Sequence, residues 1–398
     1  MKKLIIIAMF FCTHLTQAWD QSQDFSSYTT TKSIVDEYLK GKWYERIHLR
    51  GYAQFRYNRL MESNPDLVCP QCDRSLGDNN NFFFRRGRLI FFGQVSERVF
   101  IYIQPDFASA VGGTEHYFNL RDAYFDLALT DDKEWRIRFG QSKVPFGFEN
   151  LQSSSNRGPL DRHDAMNSAV ANERDIGTYL MYAPTHIRKL FARVTTEHLK
   201  GSGDYGMFAF GFYNGQTANQ PEQNNGLHRV FRLTYPHEFL NGQILEGSIQ
   251  AYEGNYFIAG ENFYDQRSAA SLILYPQPFG FQLEYNVGQG PEYNFTTGDV
   301  QVQDLTGGYA MINYSYISEK YGRFFPFIRY FRYNGGKKHE GGRAYRVNEF
   351  NIGTEWQPDD GFELTVSYMI SDRTTGDRVV DFNHQSGSTL RLQAQFNF

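Results

Sequence analysis

The chain closes on Leu390-Arg391-Leu392-Gln393-Ala394-Gln395-Phe396-Asn397-Phe398, where apolar and polar side chains alternate without a break. Successive side chains of an extended strand point to opposite faces, so this stretch is a ribbon with one greasy side and one wet side. The same period of two starts at Arg46. There Ile47, Leu49, Gly51, Ala53, Phe55 and Tyr57 alternate with Arg46, His48, Arg50, Tyr52, Gln54 and Arg56. It returns at Val99–Ile103, Trp135–Phe139, Phe208–Phe212, Phe281–Tyr285 and Phe362–Tyr368. About seventeen such segments of about ten residues can be read along the chain, and since single-chain bacterial barrels have even counts, sixteen is the expectation and eighteen the alternative.

Composition narrows the architecture. The 398 residues include 36 Phe, 27 Tyr, 4 Trp and 36 Gly, an unusually aromatic and glycine-rich mixture. Mean hydropathy is nevertheless −0.54, and the longest apolar run is Leu4–Cys12. A membrane-crossing helix needs about 20 apolar residues, so helical transporters and receptors are excluded. Disorder is excluded too, because so many large rings would stand in water. A sandwich of this length would need several domains, yet no Pro/Ser-rich linker separates any. One closed antiparallel transmembrane β-barrel, with lipid outside and water inside, satisfies both strand faces and every backbone hydrogen bond. This all-β fold is the expected one.

The N-terminus is read as an export signal over residues 1–18. Lys2 and Lys3 lead an apolar Leu4–Phe11, and Thr16-Gln17-Ala18 offers a small-residue cleavage site. Cys12 lacks the neighbours that lipid attachment requires. Residues 19–44 form a polar periplasmic segment, with a short helix expected over Ser33–Leu39, and residues 45–398 form the barrel. The formal charge is −4, and loss of the leader's two lysines makes it more negative, which argues against nucleic acid as a partner. Cys69 and Cys72, in Cys69-Pro70-Gln71-Cys72, lack nearby zinc ligands and a thioredoxin-like context, so a local disulfide is expected, with no metal and no cofactor.

Short connectors (Ser96–Arg98, Thr130–Glu134, Pro358–Gly361) alternate with long polar ones (Met61–Asn80, Asn150–Arg174, Gly215–Gly226, Gly288–Thr306, Gly335–Gly342). That asymmetry is the pattern of an outer-membrane barrel, with tight periplasmic turns and long outer loops. A bacterial outer membrane is the expected location, and its lipid and lipopolysaccharide the expected surroundings.

Chemistry-bearing residues gather in the first half. Arg85-Arg86-Gly87-Arg88-Leu89 begins the second strand, and parity turns Arg86 and Arg88 to the lumen with Arg85 near the strand start. On the next pair, parity puts Arg121 and Asp122 on opposite faces. Arg136, Arg138, Arg232 and Arg329 also read as lumen lining. The loop after Lys143 carries Ser153-Ser154-Ser155, Arg157 and Arg162. Arginine presents a planar, permanently charged fork that fits phosphate or carboxylate oxygens in pairs, and serine hydroxyls add neutral donors. The plainer reading is a solvated pore wall. Catalysis finds no support: no HExxH or GxSxG occurs, and His163-Asp164 near the serines lacks a strand-turn-helix to hold it.

With leader, barrel and clusters assembled, the chain resembles the phosphate-selective porin O and P family. The resemblance rests on Arg85-Arg86-Gly87-Arg88-Leu89, Gln104-Pro105-Asp106-Phe107, Leu120-Arg121-Asp122-Ala123-Tyr124, and Glu173-Arg174-Asp175-Ile176-Gly177. It is strongest at Gly140-Gln141-Ser142-Lys143-Val144-Pro145-Phe146-Gly147-Phe148-Glu149. It implies a homotrimer of 16-stranded barrels, each narrowed by an inward loop. By motif position, Arg85 and Arg86 match the family's paired constriction arginines and Asp122 the nearby acid. Ser153–Ser155 match its serines, and Arg157 or Arg162 its loop arginine. Asn150 and Leu151 stand where a further lysine would be sought, while Arg188–Arg193 and Arg229–Arg232 give a sparse arginine ladder. The implied activity is passive diffusion of small anions, phosphate or polyphosphate first among them. The alternatives are a general or oligosaccharide porin, with Tyr52, Tyr102 and Tyr333 as stacking surfaces, and a surface binding or adhesion protein built on the long loops.

Overall fold

A computed structural model describes residues 42–67, 82–111, 114–258, 260–379 and 383–398. The expected leader, the Ser33–Leu39 helix, Cys69 and Cys72 lie outside these residues.

Every strand pairs antiparallel with its sequence neighbour, and the first, β1 (Ile47–Leu60), pairs with the last, β16 (Asn383–Asn397), to close the sheet. The remaining strands are β2 (Phe82–Gln94), β3 (Val99–Val111), β4 (Thr114–Ala128), β5 (Trp135–Lys143), β6 (Arg174–Tyr182), β7 (Phe208–Tyr213) and β8 (His228–Glu238). They continue as β9 (Ile244–Ile258), β10 (Glu261–Leu274), β11 (Phe279–Asn294), β12 (Asp299–Tyr314, resuming at Tyr316–Ser318), β13 (Gly322–Lys337), β14 (Arg343–Asp359) and β15 (Phe362–Gly376). The count is sixteen. A seventeenth segment arises because β12 is interrupted opposite Phe325 and Pro326, where proline has no N–H to offer the ladder. The register is unbroken across the gap, with Asn313 opposite Phe327 and Tyr316 opposite Phe324.

Alternation behaves as read. Ile312, Ile328 and Ile352 sit side by side on β12, β13 and β14 and stand outward, whereas Arg329, Asn351 and Ser367 are buried inward. At the end where β1 begins and β16 finishes, Tyr235, Phe239, Tyr314, Tyr316 and Phe396 are exposed, an aromatic girdle of the kind that marks a membrane interface. Closure is tight. Phe398 and Gly51 exchange backbone hydrogen bonds of 2.7 and 3.0 Å, and a Cβ at position 51 would fall 2.5 Å from the Phe398 ring.

Two segments depart from the simple picture. Gly288–Thr306, expected as a loop, is mostly strand: β11 and β12 run on as a hairpin turning at residues 295–298. Water on both faces erases the apolar alternation there without breaking the backbone ladder. Between β6 and β7, where Arg188–Arg193 were expected as part of a lumen arginine ladder, the chain makes a helix, α3 (Thr185–Thr196), and then re-enters the barrel. Ile187, Phe191 and Val194 are buried at helical spacing, and Leu199, Lys200 and Ser202 are buried after it. Arg188 and Arg193 are therefore helix residues rather than rungs of a lumen ladder. Of the other expected pair, Arg229 faces outward beside Glu253 and only Arg232 faces in.

The constriction as candidate functional site

Residues 144–173, between β5 and β6, fold into the lumen. Their two single-turn helices are α1 (Phe148–Leu151) and α2 (Asp164–Asn167). Gly147 starts the first turn at φ 84°, where a Cβ would meet Met166 Sδ at 2.9 Å. Val144, Phe146, Met166 and Val170 pack on Tyr179, Tyr213 and Tyr252 of the wall, and Ala165 packs on Tyr309 and Phe331. Phe148 meets Val194 and Leu199 of the re-entrant segment, so the two inward segments share one core.

Charge fixes the loop around the bore. Arg329 of β13 pairs with Glu149 at 2.6 Å, and Arg373 of β15 pairs with Asp164 at 3.1 Å. Lys337 reaches Asp164 as well, at 2.5 Å. Asp161 takes Arg56 of β1 at 3.2 Å and also Arg391 of β16. On β10 and β11, Arg267 donates to Ala165 O and Ser168 Oγ, and Asn286 donates to Ala165 O. Burial works against the Asp161 carboxyl, but Arg391, Arg56 and Arg85 hold it well below the usual carboxylate range. Burial opposes Glu173 likewise, and Arg162 and Arg174 hold it low.

The loop thus docks on β10–β16 and on Arg56 of β1, and leaves open space beside β2–β5. There the expected residues come together with altered roles. Arg85 is the extra residue of a β-bulge on β2: Gln54 faces Arg86 and Phe55 faces Phe84, so Arg85 has no rung of its own. Arg88 donates to Asp106 (2.8 Å), Tyr52 Oη (2.8 Å) and Ser154 Oγ (3.1 Å). Ser153 and Ser155 share a hydrogen bond between their hydroxyls, and Ser154 O accepts from Gln54. The triple serine is therefore pinned structure.

Several expected positions are occupied in holding the scaffold. Asp122, expected beside Arg85 and Arg86, pairs with Arg174 at 2.9 Å. The acid at the arginines is Asp106. Arg121 also approaches Asp106, at 3.4 Å, although parity placed it on the face opposite Asp122. A second bulge explains this: Gln104 faces Asp122 and Pro105 faces Leu120, leaving Arg121 unpaired opposite a proline that cannot donate. Lys143 Nζ donates to the carbonyls of Leu151 and Gln152 at 2.7 Å each. Arg162 pairs with Glu173 and donates to two loop carbonyls. Arg136, Arg138, Arg232 and Arg329 do face inward, each against a carboxylate: Asp204, Asp126, Glu246 and Glu149.

Two guanidiniums differ. Arg86 donates to Gln54 Oε1 at 2.8 Å and keeps a buried Nε with no acceptor. Arg157 donates only to Leu160 O at 3.3 Å and keeps both Nε and Nη1 buried without one. Among the described residues neither has a carboxylate at ion-pair distance. Burial, and then Arg162, pulls Arg157 down to about 9.

Comparison with known proteins bears on the family and the fold. The family model for phosphate-selective porin O and P matches residues 66–398. The chain belongs to that family. As a member it is an outer-membrane porin, a passive channel and not an enzyme. No curated protein matches by sequence. Among solved structures, the outer-membrane channel DcaP of Acinetobacter baumannii is similar at 13% identity and TM-score 0.54, covering 88% of this chain and 97% of that one. The anion-selective porin from Comamonas acidovorans is similar at 10% identity and TM-score 0.54, covering 88% and 99%. OmpT of Vibrio cholerae, in a trimer form, is similar at 10% identity and TM-score 0.51, again covering 88% and 99%. These likenesses are of fold.

Sequence reasoning missed Asp106, Asp161, Asp204 and Arg174 as partners, although Asp106 and Arg174 stand inside quoted motifs. A signal for the carboxylates exists: acids on lumen-facing or loop positions in a bore rich in arginine are expected to pair with it.

Proposed function

We propose that this porin passes small anions, phosphate-class oxyanions foremost, by diffusion past Arg86 and Arg157. The observation that carries the reading is the pair of buried guanidiniums that, among the described residues, have no carboxylate partner. An N–H left without an acceptor in a buried place costs about 1–3 kcal/mol, and more for a charged group, so the pair calls for a mobile anionic acceptor. Arg85, Arg88 and the Ser154 hydroxyl stand beside it as further donors. Asp122, Lys143 and Arg162 hold the scaffold. Asp106 tempers Arg88, which keeps binding weak enough for release.

The family's description as phosphate-selective and the anion selectivity named for the Comamonas acidovorans neighbour support this reading. The trimer form of OmpT supports a homotrimer, with lipid and lipopolysaccharide around its outer wall. The test is planar-bilayer recording in chloride with phosphate added. Phosphate blocks chloride current in the wild type; in Arg86→Ala and in Arg157→Ala the block weakens about tenfold while the channels still conduct. Cation selectivity in the wild type, or block indifferent to both substitutions, refutes the proposal.

A further inference from the structure

The outer wall carries two grooves that the pore does not use. The first follows the outward row of β12, with Gly308 and Ala310 as its floor and Tyr285 and Tyr330 of the adjoining strands as its banks. The second crosses β9 and β10 over Ala251, Ser268 and Ala270. Tyr285 lines both and forms the ridge between them. Gly308 lets that ring lie against the wall, since a Cβ there would fall 2.8 Å from it. The Tyr285 and Tyr330 hydroxyls are tied to Thr306 at 2.6 Å and Asn348 at 3.1 Å, which fixes the banks. Small side chains set between large ones cut furrows in a wall that elsewhere presents Ile, Phe and Tyr. A furrow gives one acyl chain contacts on three sides, where a smooth wall gives them on one.

Polar groups stand at the heads of both grooves. Glu253, Gln266, Gln289 and Asp304 face one another in a single outward row across β9–β12, on the long-loop side of the small residues. Arg332 lies opposite Gly308 on the bank of the first groove. It is exposed, and no carboxylate among the described residues lies at ion-pair distance from it. Its depth can be read along β13, because Arg332 is eight residues beyond Phe324, the partner of Tyr316 in the girdle. At about 3.3 Å per residue on a strand tilted about 40°, that is a rise of about 20 Å, near the top of an apolar band about 25 Å tall. A guanidinium at that height reaches the headgroups of the outer leaflet.

We infer that this face binds one phosphorylated sugar lipid, the acylated anchor of lipopolysaccharide, with a phosphate on Arg332 and two acyl chains in the grooves. The guanidinium fork fits the phosphate, and the carboxylates and amides of the polar row fit sugar hydroxyls. The inference rests on the reading that lipopolysaccharide surrounds the outer wall, and it gives that lipid a defined seat. It does not depend on Arg86 or Arg157.

Native mass spectrometry of the detergent-solubilised full chain counts bound lipid, with lipid A, dephosphorylated lipid A and phosphatidylglycerol as probes. One lipid A is retained per chain, about tenfold more tightly than either of the other two. Arg332→Gln weakens its retention about tenfold, and so do Ala310→Phe and Ala251→Phe, which fill the grooves. Val366→Phe, on the outward face of β15, leaves retention unchanged. Conductance and phosphate block are the same in all four variants, so a failed lipid site and a failed pore reading give different results. Phosphatidylglycerol held as tightly as lipid A overturns the inference, as does retention indifferent to Arg332→Gln or to both groove-filling variants. Release of subunits from an assembly by Ala310→Phe also overturns it, because the grooves would then be a contact between copies of the chain.

Discussion

At the scale of the residue, partnership decides which arginines can serve a solute. A buried charge that loses its partner costs about 3–5 kcal/mol, because the survivor stays desolvated. Arg329→Ala strands Glu149, so a loss of that order is expected in urea unfolding of the refolded barrel. Arg157→Ala strands no carboxylate and leaves the unfolding midpoint nearly unchanged. The loop acids add a pH signature. Burial opposes Asp164, but Lys337 and Arg373 hold it low, and Glu149, Asp161 and Glu173 are depressed in the same way. Carboxyls depressed in the fold contribute stability above their ordinary values of about 4, and lose it only as pH falls through the lowered ones. The loop therefore stays docked at about pH 4 and releases well below it, which limited pepsin digestion at stepped pH reads as delayed cleavage within residues 144–173. That Arg329 and Arg391 face inward was legible from parity. Their engagement was not, because the partners lie 180 and 230 residues away in the chain.

At the scale of the element, two inward segments meet rather than one. Gln152 donates to Lys200 O at 2.6 Å and Asn156 to Gly201 O at 3.0 Å, joining the loop to the segment behind α3. Asp204 fastens that segment to the wall, taking Arg136 at 2.8 Å and Arg188 at 3.0 Å. Its carboxyl, opposed by burial, is held low by the same two arginines. Asp204→Ala leaves two guanidiniums uncompensated and frees the segment that carries Tyr205. The expected result is a larger single-channel conductance together with a lower unfolding midpoint; unchanged conductance would show that the segment does not narrow the bore. The helix was present in the sequence as Ile187, Leu190, Phe191 and Val194, spaced three and four apart, yet among so many strands Arg188–Arg193 read as rungs of a lumen ladder. The loop, by contrast, was announced by the Lys143–Glu149 run. Only its docking sites were hidden, since they depend on closure of the sheet.

At the scale of the whole molecule, closure makes the alternation legible and the selectivity hard to read. Sixteen strands followed from a period of two and the even count of such barrels, and at Pro326 a ladder bond is missing while the register continues. Charge is another matter: the chain is net −4, and most lumen arginines are neutralised in place, so the field in the bore comes from a few uncommitted cations such as Arg50, Arg86 and Arg157. A field from so few sites, open to water at Arg50, is easily screened. The Debye length falls from about 10 Å at 0.1 M salt to about 3 Å at 1 M, which is shorter than the width of a bore. Anion preference is therefore expected to be marked at 0.1 M and to fall toward unity at 1 M, read as the reversal potential under a fixed tenfold gradient at each strength. Phosphate block, which depends on direct contact at the buried pair, should weaken much less over the same range. A preference that holds undiminished at 1 M would mean that the carboxylate-paired arginines still act on the permeating ion.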